Sequence, residues 1–217
     1  MIIVVLSCNK NDDTFLPFCH FMERYYPNHP EIYYFTDGII NPFYKTIPIE
    51  MTLDKWTKGL REFLNQIPDE QILLMIDDCF IRKPVDVKRI EYASEHLKGN
   101  IALMNFELSW DKNDEPTELE GWNKRRHGSE FEVSLMCGLW QKEKLLKVIE
   151  RDCSPWEIEL KQDGCGFDYY INSGDYIIDW GYRTFQPFGK LKGKWTKETV
   201  DFLESEGFHV NFDNNGR

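Results

Sequence analysis

The stretch ILLMIDDCF (72–80) constrains the fold of this chain more than any other segment. Five apolar residues without a charge follow the turn-like sequence IPDEQ and run directly into Asp77 and Asp78. A run this short and this apolar predicts a strand that is buried on both faces, as in a parallel sheet. Two adjacent carboxylates at the end of a buried strand repel each other unless a positive charge lies between them. This acidic pair therefore predicts a charged site where the strand ends.

Strand and helix patterns alternate along the chain, most regularly in its first half. Short or alternating apolar runs predict strands at 2–6, 31–35, 72–76, 101–106 and 130–140. Apolar residues at helical spacing predict helices at 12–26, 52–67, 87–97 and 141–152. Asp12 or Asp13 is expected to cap the first helix. The alternation predicts one α/β domain over residues 1–217, with a mostly parallel central sheet flanked by helices, as in Rossmann-like folds.

Residues 107–130 interrupt this alternation. They are polar and charged without a clean period, which predicts a long loop. Loops longer than about 15 residues in compact domains are usually functional or disordered. Trp110, Trp122 and the basic run at 124–127 favour a functional loop, and Trp122 and Arg125 are candidates for contact with a sugar acceptor. We therefore expect this segment to be a mobile lid that orders over a bound substrate.

The overall charge argues against one class of partner. Lys and Arg total 26 and Asp and Glu total 37, so that the net charge is -11. A protein that binds nucleic acid broadly through the phosphate backbone needs clustered positive charge. The composition therefore disfavours an extended nucleic-acid surface, although it leaves room for a local basic pocket.

The start of the chain and its cysteines indicate a cytoplasmic protein without a membrane span. The sequence MIIVVLSCNKNDD has no basic leading region, and its apolar run is too short for a signal sequence or a membrane span. The six cysteines are scattered, without a CxxC pair. Cysteines in that arrangement are typical of a reducing compartment.

The acidic pair has two interpretations. In open α/β sheets, ligands bind beyond the carboxyl ends of the strands, which is where Asp77 and Asp78 fall. Carboxylate oxygens suit Mg²⁺ or Mn²⁺, and such an ion is typically shared with the phosphates of a substrate. The structural alternative is that Asp78 caps a turn and Asp77 is a solvated strand end. The pair alone leaves both interpretations open.

A predicted helix start in SPWEIE carries two candidate carboxylates. Ser154, Pro155 and Glu157 form a capping box with proline at the first helical position, which gives Glu157 a local structural reason. Glu159 has no such reason and is a candidate general base, beside Trp156 as a platform for a sugar ring. The alternative is that Trp156 anchors the core and Glu159 lies on a solvated face.

The segment FGKLKGKW (188–195) offers lysines near the end of an acidic chain. Lys190, Lys192 and Lys194 alternate with glycines, which permit close approach of the backbone. Lysines act as point charges on phosphate, so that Lys190 and Lys194 are candidates for contact with a nucleotide diphosphate. The spacing is not that of a P-loop, and a solvated basic loop is the alternative.

Four segments together resemble a known family. They are VVLSCNKN, the helix around Trp56, ILLMIDDCFIRKPVD and GLWQKEKLLKVIERDCSPWEIE. They resemble small bacterial and viral glycosyltransferases of the GT-A type, and the resemblance covers most of residues 1–160. The last of the four segments is the most specific.

The resemblance implies a nucleoside-diphosphate-sugar donor, a divalent ion (Mn²⁺ or Mg²⁺), and an acceptor that is more often a carbohydrate than a nucleic acid. It implies these site residues: Asp77 and Asp78 for the metal and the donor, Ser7 and Asn9 for the nucleoside, and Glu159 or Glu157 as the base. The sequence departs from the Asp-x-Asp pattern of the family, because Cys79 follows the pair. His209 is the only late histidine that offers a further ligand.

Two rival functions fit the same pattern. The first is a sugar transferase that acts on modified bases in viral DNA, for which NKRRH (123–127) would supply a local phosphate contact. The second is a carbohydrate-binding module that keeps the fold without catalysis. It would bind sugar and no nucleotide.

Overall fold

The computed structural model describes residues 1–161, 164–180, 189–191 and 193–208. The strands are β1 (Ile2–Leu6), β2 (Ile32–Thr36), β3 (Lys45–Pro48), β4 (Gln71–Ile76), β5 (Ile101–Leu108), β6 (Glu115–Pro116), β7 (Trp122–Lys124), β8 (Gly138–Gln141), β9 (Asp168–Asn172), β10 (Lys190–Leu191) and β11 (Lys194–Trp195). Within these ranges, nine strands form one sheet in the order β3-β2-β1-β4-β8-β5-β9-β7-β6, and β10 and β11 form a separate hairpin.

Most strands of the large sheet point in the same direction. The neighbours from β3 to β4 are all parallel. β8 lies antiparallel between β4 and β5, β9 is parallel to β5, and β7 is antiparallel to β9. Only β8 and β7 therefore run against the rest of the described sheet, and the prediction of a mostly parallel sheet is confirmed.

Helices cover both faces of the sheet. On one face, residues of α1 (Phe15–Tyr25), α3 (Val87–His96) and α6 (Lys197–Ser205) join the core. On the other face, the core includes residues of α2 (Trp56–Leu64), α4 (Lys142–Val148) and α5 (Pro155–Lys161). Short 3₁₀ turns at Asp12–Thr14 and Leu53–Lys55 precede α1 and α2. Across the described ranges, no helix combines the length and the apolar character that a membrane crossing requires.

β1 shows why the central strands are apolar throughout. Ile3 and Val5 belong to the core on one face, whereas Val4 and Leu6 belong to the core on the other. Since successive side chains of a strand point to opposite faces, a strand covered on both sides needs apolar residues at every position. The same rule explains the run at 72–76, which the sequence predicts as a buried strand.

The first helix begins differently from the prediction. Neither Asp12 nor Asp13 caps it, because the chain enters α1 through a 3₁₀ turn without a capping bond from the flanking side chain. Asp13 instead contacts Lys190 and Trp195. By contrast, Asp86 caps α3 by accepting a hydrogen bond from the backbone N–H of Arg89 at 3.1 Å. A distant partner therefore determines the role of Asp13, and local sequence does not show it.

The prediction of one long loop at 107–130 is wrong in part. β5 extends to Leu108, and β6 and β7 pair at the edge of the large sheet. Trp122 is 1% exposed and packs in the core, with the Arg89 guanidinium 5.8 Å from its ring centroid. β7 has only three residues, which is too short for a periodic pattern to appear in the sequence. Short strands thus take up part of the segment 107–130, and its role as a mobile lid stays a prediction.

The predicted strand at 130–140 is also wrong over most of its length, since only Gly138–Gln141 is a strand. Val133 and Leu135 are buried, so that the apolar alternation is real. The backbone before them is turned instead, because Glu132 accepts hydrogen bonds from Gly128 N–H and contacts His127. No sequence pattern predicts β3, β9 or α6.

Trp122→Ala tests whether this residue belongs to the core. Truncation of a buried tryptophan typically lowers the free energy of unfolding by about 3–5 kcal/mol. Trp110→Ala is the matched control, because Trp110 is 52% exposed and its loss is expected to cost about 1 kcal/mol or less. Chemical denaturation of both variants measures the difference. Equal costs would contradict the placement of Trp122 in the core.

Candidate functional site

A cavity of about 270 Å³ opens at the carboxyl ends of β1 and β4. This edge of an α/β sheet is the usual place for a ligand site. The polar side chains in its wall come from segments far apart in the sequence. The wall includes Ser7, Asp77, Asp78, Trp156 and Glu159. The structure therefore brings together five of the residues that the sequence predicts for the site.

Asp77 is 1% exposed, and both of its carboxylate oxygens are hydrogen-bonded. Ser7 Oγ and Thr14 Oγ1 donate to Oδ2 at 2.5 and 3.0 Å, and Asn11 Nδ2 donates to Oδ1 at 2.8 Å. Burial and the charge of Asp78 raise the pKa of Asp77 to about 7, against the three hydrogen bonds. Asp77 is thus not a solvated strand end. The three hydrogen bonds leave a metal ion only one of the four lone-pair sites of this carboxylate, on Oδ1.

Asp78 also lies in the cavity wall, and burial raises the pKa of its carboxyl to about 6. Lys190 opposes this rise electrostatically. The Lys190 ammonium is buried and pairs with Asp13, and the Lys190 backbone N–H donates to the Asp78 carbonyl at 2.8 Å. Lys190 thus supplies the positive charge that the acidic pair requires.

The β10–β11 hairpin lies directly against the acidic pair. A Cβ atom added to Gly189 would lie 1.7 Å from the Asp78 carbonyl oxygen, so that only glycine permits this approach. Trp195 Nε1 donates to Asp13 at 2.9 Å on the same side. The glycines of this segment were predicted to permit close approach of the backbone. Gly189 does so, and the group that its backbone approaches is the Asp78 carbonyl rather than a ligand.

Glu159 and Glu157 have different environments on α5. Ser154 N and Oγ both donate to Glu157 Oε2 at 3.1 Å, so that the predicted capping box is confirmed. Glu159 lies in the cavity wall and accepts a hydrogen bond from Leu135 N–H at 2.9 Å. Burial, and more weakly the charge of Glu107, raise the pKa of Glu159 to about 7, against this bond. Of the two, Glu159 is the carboxylate with access to the cavity.

Trp156 is 65% exposed at the cavity and does not anchor the core. Trp56 lines the same cavity from α2 and packs against the Phe35 ring. An exposed indole beside a carboxylate offers an apolar face for a sugar ring or a base. The alternative in which Trp156 is a core residue is therefore wrong.

Several predicted site residues do not line this cavity. Trp122 is in the core, and Arg125 is 2% exposed under Trp110. Lys194 is exposed on β11, and the exposed Asn9 uses its backbone N–H to bond Asp37. Lys190 lies behind Asp78 rather than in the wall. Lys192 and His209 lie outside the described residues.

Sequence reasoning missed a polar network behind Glu159. Ser134 Oγ donates to Glu107 Oε2 at 3.0 Å and accepts from Met136 N–H at 3.3 Å. This hydroxyl therefore fixes the peptide segment that contains Leu135, the donor to Glu159. The network was not visible in the sequence because the pattern at 130–140 predicts a regular strand. Asn11 and Thr14 were also missed, although their place just after β1 was a signal for them.

The described residues contain no group of three or more His, Cys, Asp or Glu side chains arranged to hold a metal ion. A protein site that supplies every ligand is therefore not found in them. Mg²⁺-type ions often use only one or two carboxylates together with substrate phosphates and water. Asp78 fits that role better than Asp77, whose oxygens are already hydrogen-bonded.

Comparison of the fold with solved structures gives matches among nucleotide-dependent enzymes. A cytidylyltransferase from Leptospira borgpetersenii serovar Hardjo-bovis matches with a TM-score of 0.58 and 11% identity, over 96% of this chain and 87% of the other. The 2-C-methyl-D-erythritol 4-phosphate cytidylyltransferase from Thermus thermophilus matches with a TM-score of 0.53 and 7% identity, over 95% and 98%. CMP:2-keto-3-deoxy-manno-octonic acid synthetase in complex with CTP matches with a TM-score of 0.52 and 9% identity, over 80% and 89%.

These matches establish the fold class and not the reaction, since all three identities are far below 25%. The chain spans only 50% and 36% of two longer proteins, the bifunctional IspDF from Campylobacter jejuni and TarS from Staphylococcus aureus. No protein-family model and no curated protein matches the sequence. The chain thus has the α/β fold that cytidylyltransferases share.

The raised pKa values predict that stability falls as the pH rises. In the folded state, the pKa values of Asp77, Asp78 and Glu159 are about 7, 6 and 7. In the unfolded chain, the same carboxyl groups lose their protons near pH 4. The contribution of these three groups to the free energy of unfolding is therefore highest below about pH 4, and it falls as the pH rises to about 7. Above that range their contribution is lost.

Asp77→Asn tests this dependence. The amide keeps an acceptor oxygen but does not ionise, so that the fall in melting temperature between about pH 5.5 and 8 is expected to shrink by at least about 3 °C. Thermal unfolding across this pH range measures it. Asp12→Asn is the control, because Asp12 is an exposed aspartate on the neighbouring turn. An unchanged pH dependence in Asp77→Asn would show that Asp77 does not titrate in this range.

Proposed function

We propose that this protein is a glycosyltransferase, which moves a sugar from a nucleoside diphosphate to an acceptor hydroxyl. One observation carries the proposal. The carboxylate of Glu159, with its pKa raised to about 7, faces the same cavity as Asp78 and the exposed Trp156. A base, a polar group for the diphosphate end and an aromatic face for a sugar are the parts that this reaction uses.

The base is the part that distinguishes sugar transfer. An acceptor hydroxyl must lose its proton as it attacks, and a base is most effective when its pKa lies near the working pH. Burial brings Glu159 into that range. The hydrogen bond from Leu135 N–H holds one carboxylate oxygen, which leaves the other available to the acceptor. Glu157 lacks this freedom, because its carboxylate closes the capping box.

The donor is assigned to the β1 and β4 side of the cavity. Ser7 and Asp78 provide polar contacts there, and Leu6 and Trp56 provide apolar ones. The volume of about 270 Å³ is just below the range of about 300–1,000 Å³ that is usual for small-molecule sites. We therefore expect the cavity to hold only part of a nucleotide sugar, with the sugar beside Trp156 and near Glu159.

A divalent ion would be held by Asp78 together with the diphosphate of the donor. When bound, it would stabilise the negative charge that develops on the leaving nucleoside diphosphate. The positive charge of Lys190 lowers the pKa of Asp78 and so favours the ionised carboxylate. We therefore assign Lys190 to the support of this carboxylate rather than to contact with phosphate. Asp77 keeps the strand end in place through Ser7 and Asn11.

Nucleotidyl transfer is the second candidate, because two of the three matches described above are cytidylyltransferases by name and the third is a CMP:2-keto-3-deoxy-manno-octonic acid synthetase in complex with CTP. The two reactions release different products. Sugar transfer releases a nucleoside diphosphate, whereas transfer from a nucleoside triphosphate releases pyrophosphate. Incubation with panels of nucleotide sugars, and of nucleoside triphosphates with sugar phosphates, separates them. A phosphate acceptor is already ionised at neutral pH and has no need for a base, so that Glu159 favours transfer to a hydroxyl over transfer to a phosphate.

The two other rivals receive less support. Lys124 pairs with Asp168, Arg125 is buried, and His127 contacts Glu132. These side chains do not form an exposed strip for DNA phosphates, and the net charge is -11. A carbohydrate-binding module without catalysis would bind sugars and no nucleotide. Thermal-shift measurements with nucleotides and nucleotide sugars test that point directly.

Glu159→Gln tests the assignment of the base. Turnover is expected to fall about 10²-fold or more, since general-base catalysis usually contributes that much, while the melting temperature stays near or above that of the wild type. In the wild type, kcat/KM is expected to rise with pH through about 7, where Glu159 ionises, and this rise is expected to vanish in the variant.

Glu157→Gln is the matched control for that experiment. It alters the capping box and is expected to cost about 1 kcal/mol of stability or less, with turnover nearly unchanged. The reverse pattern in the two variants would contradict the assignment of Glu159.

Asp78→Asn tests the metal. In the wild type, a nucleoside diphosphate and Mn²⁺ together are expected to raise the melting temperature by roughly 5–10 °C at about 100 times the dissociation constant. This rise is expected to exceed the sum of their separate effects. The variant keeps the shape of the side chain and loses its charge, so that this cooperative rise is expected to disappear. A rise of the same size in Asp78→Asn would exclude Asp78 as the metal ligand.

A further inference from the structure

Arg125 has a buried guanidinium, and none of the described residues forms an ion pair with it. It is 2% exposed, and its Nη1 has no hydrogen-bond partner among the residues that the structure describes. Its neighbours differ, since Lys124 is paired with Asp168 and His127 with Glu132. A buried charge without a partner is costly, and a carboxylate or phosphate is the group that satisfies a guanidinium best.

The ring of Trp110 lies against this guanidinium, and a second aromatic ring packs on Trp110. Its Cζ lies 5.4 Å from the ring centroid of Trp110, which is 52% exposed. The Phe131 ring meets Trp110 edge-on at 6.5 Å between centroids. Phe131 has a φ of 56°, a backbone conformation that bulky residues rarely adopt and that clusters at ligand sites. Trp110 thus contacts the guanidinium through its ring and offers no hydrogen-bond acceptor to Nη1, which a ligand would have to supply.

The nearby carboxylate of Asp111 does not satisfy Arg125. It accepts hydrogen bonds from the backbone and side-chain nitrogens of Asn113. Asn113 is the main cause of its lowered pKa, and Arg126 and Arg125 add to the effect only electrostatically. No ion pair joins Asp111 to Arg125 in the described part of the chain. The charge of Arg125 is therefore left for a ligand.

One segment connects the surroundings of Arg125 with the candidate cavity. Phe131, which packs on Trp110, precedes Leu135 by four positions, a span of about 14 Å at most. Leu135 lines the cavity and donates to Glu159. This connection is the reason why we assign the ligand of Arg125 to the acceptor side of the cavity.

We propose that Arg125, with Trp110 stacked on it, binds an anionic group of the acceptor, either a carboxylate or a phosphate. The exposed Trp110 side chain would move aside to admit the anion and then pack on the complex. The assignment of the anion to the acceptor rests on the proposed function, whereas the anion site itself does not.

Binding of glucuronate, glucose 6-phosphate and glucose to the protein, measured by calorimetry at matched ionic strength, tests the proposal. Wild type is expected to bind one or both of the anionic sugars at least about 10-fold more tightly than glucose, as one charge-assisted pair provides. The comparison of the two anionic sugars separates a carboxylate ligand from a phosphate ligand. Arg125→Gln is expected to lose the preference, and Arg126→Gln, which removes an exposed charge at the next position, is expected to keep it.

Equal binding of glucose and both anionic sugars by the wild type would overturn the proposal, and so would a preference that survives in Arg125→Gln. Since Arg125 is buried, Trp110→Leu provides a second test at an exposed position. It is expected to weaken anion binding several-fold at an unchanged melting temperature, and unchanged binding counts against the site. These measurements need no donor and no turnover. A preference for anions without sugar transfer would thus overturn the proposed function and leave the anion site in place.

Discussion

The burial of the Asp77 carboxyl is the constraint on which the rest of the site depends. A carboxyl group without partners is costly to bury, and here Ser7, Asn11 and Thr14 supply three hydrogen bonds to it. Those donors come from the end of β1 and the turn that follows. The carboxyl therefore ties the ends of two adjacent parallel strands together, and this geometry places Asp78 in the wall of the cavity.

The acidic pair also needs a nearby positive charge, and Lys190, late in the sequence, provides it. Lys190 reaches Asp13 across 177 positions of sequence, and its charge opposes the rise in the pKa of Asp78. Gly189 permits the hairpin to approach the Asp78 carbonyl. These contacts explain how the fold tolerates two adjacent carboxylates at the end of a buried strand. Burial raises the pKa of Asp77 while three hydrogen-bond donors support its charged form, and Asp78 lies beside a buried lysine.

The parts of the structure that the sequence predicts well are those that local chemistry determines. β1 and β4 are apolar because both faces are covered, and Ser154 with Glu157 forms a capping box within one helical turn. The parts that it predicts poorly depend on distant partners. The short strand β7 exists because it pairs with β9, and Lys190 appears as a solvated loop residue or a phosphate ligand until its contact with Asp13 is known.

The segment 131–137 shows how a failed prediction and a functional site coincide. Its apolar alternation is that of a strand, yet a regular strand would direct its backbone N–H groups to a neighbouring strand. Here the turn around Glu132 frees the N–H of Leu135 for Glu159, and the Ser134 hydroxyl fixes the same peptide to Glu107. The irregular backbone therefore gives up pairing with a neighbouring strand. In return, it fixes the position of the carboxylate that we assign as the base. Since Phe131 at its start also packs on Trp110, the same segment connects the proposed base with the proposed anion site.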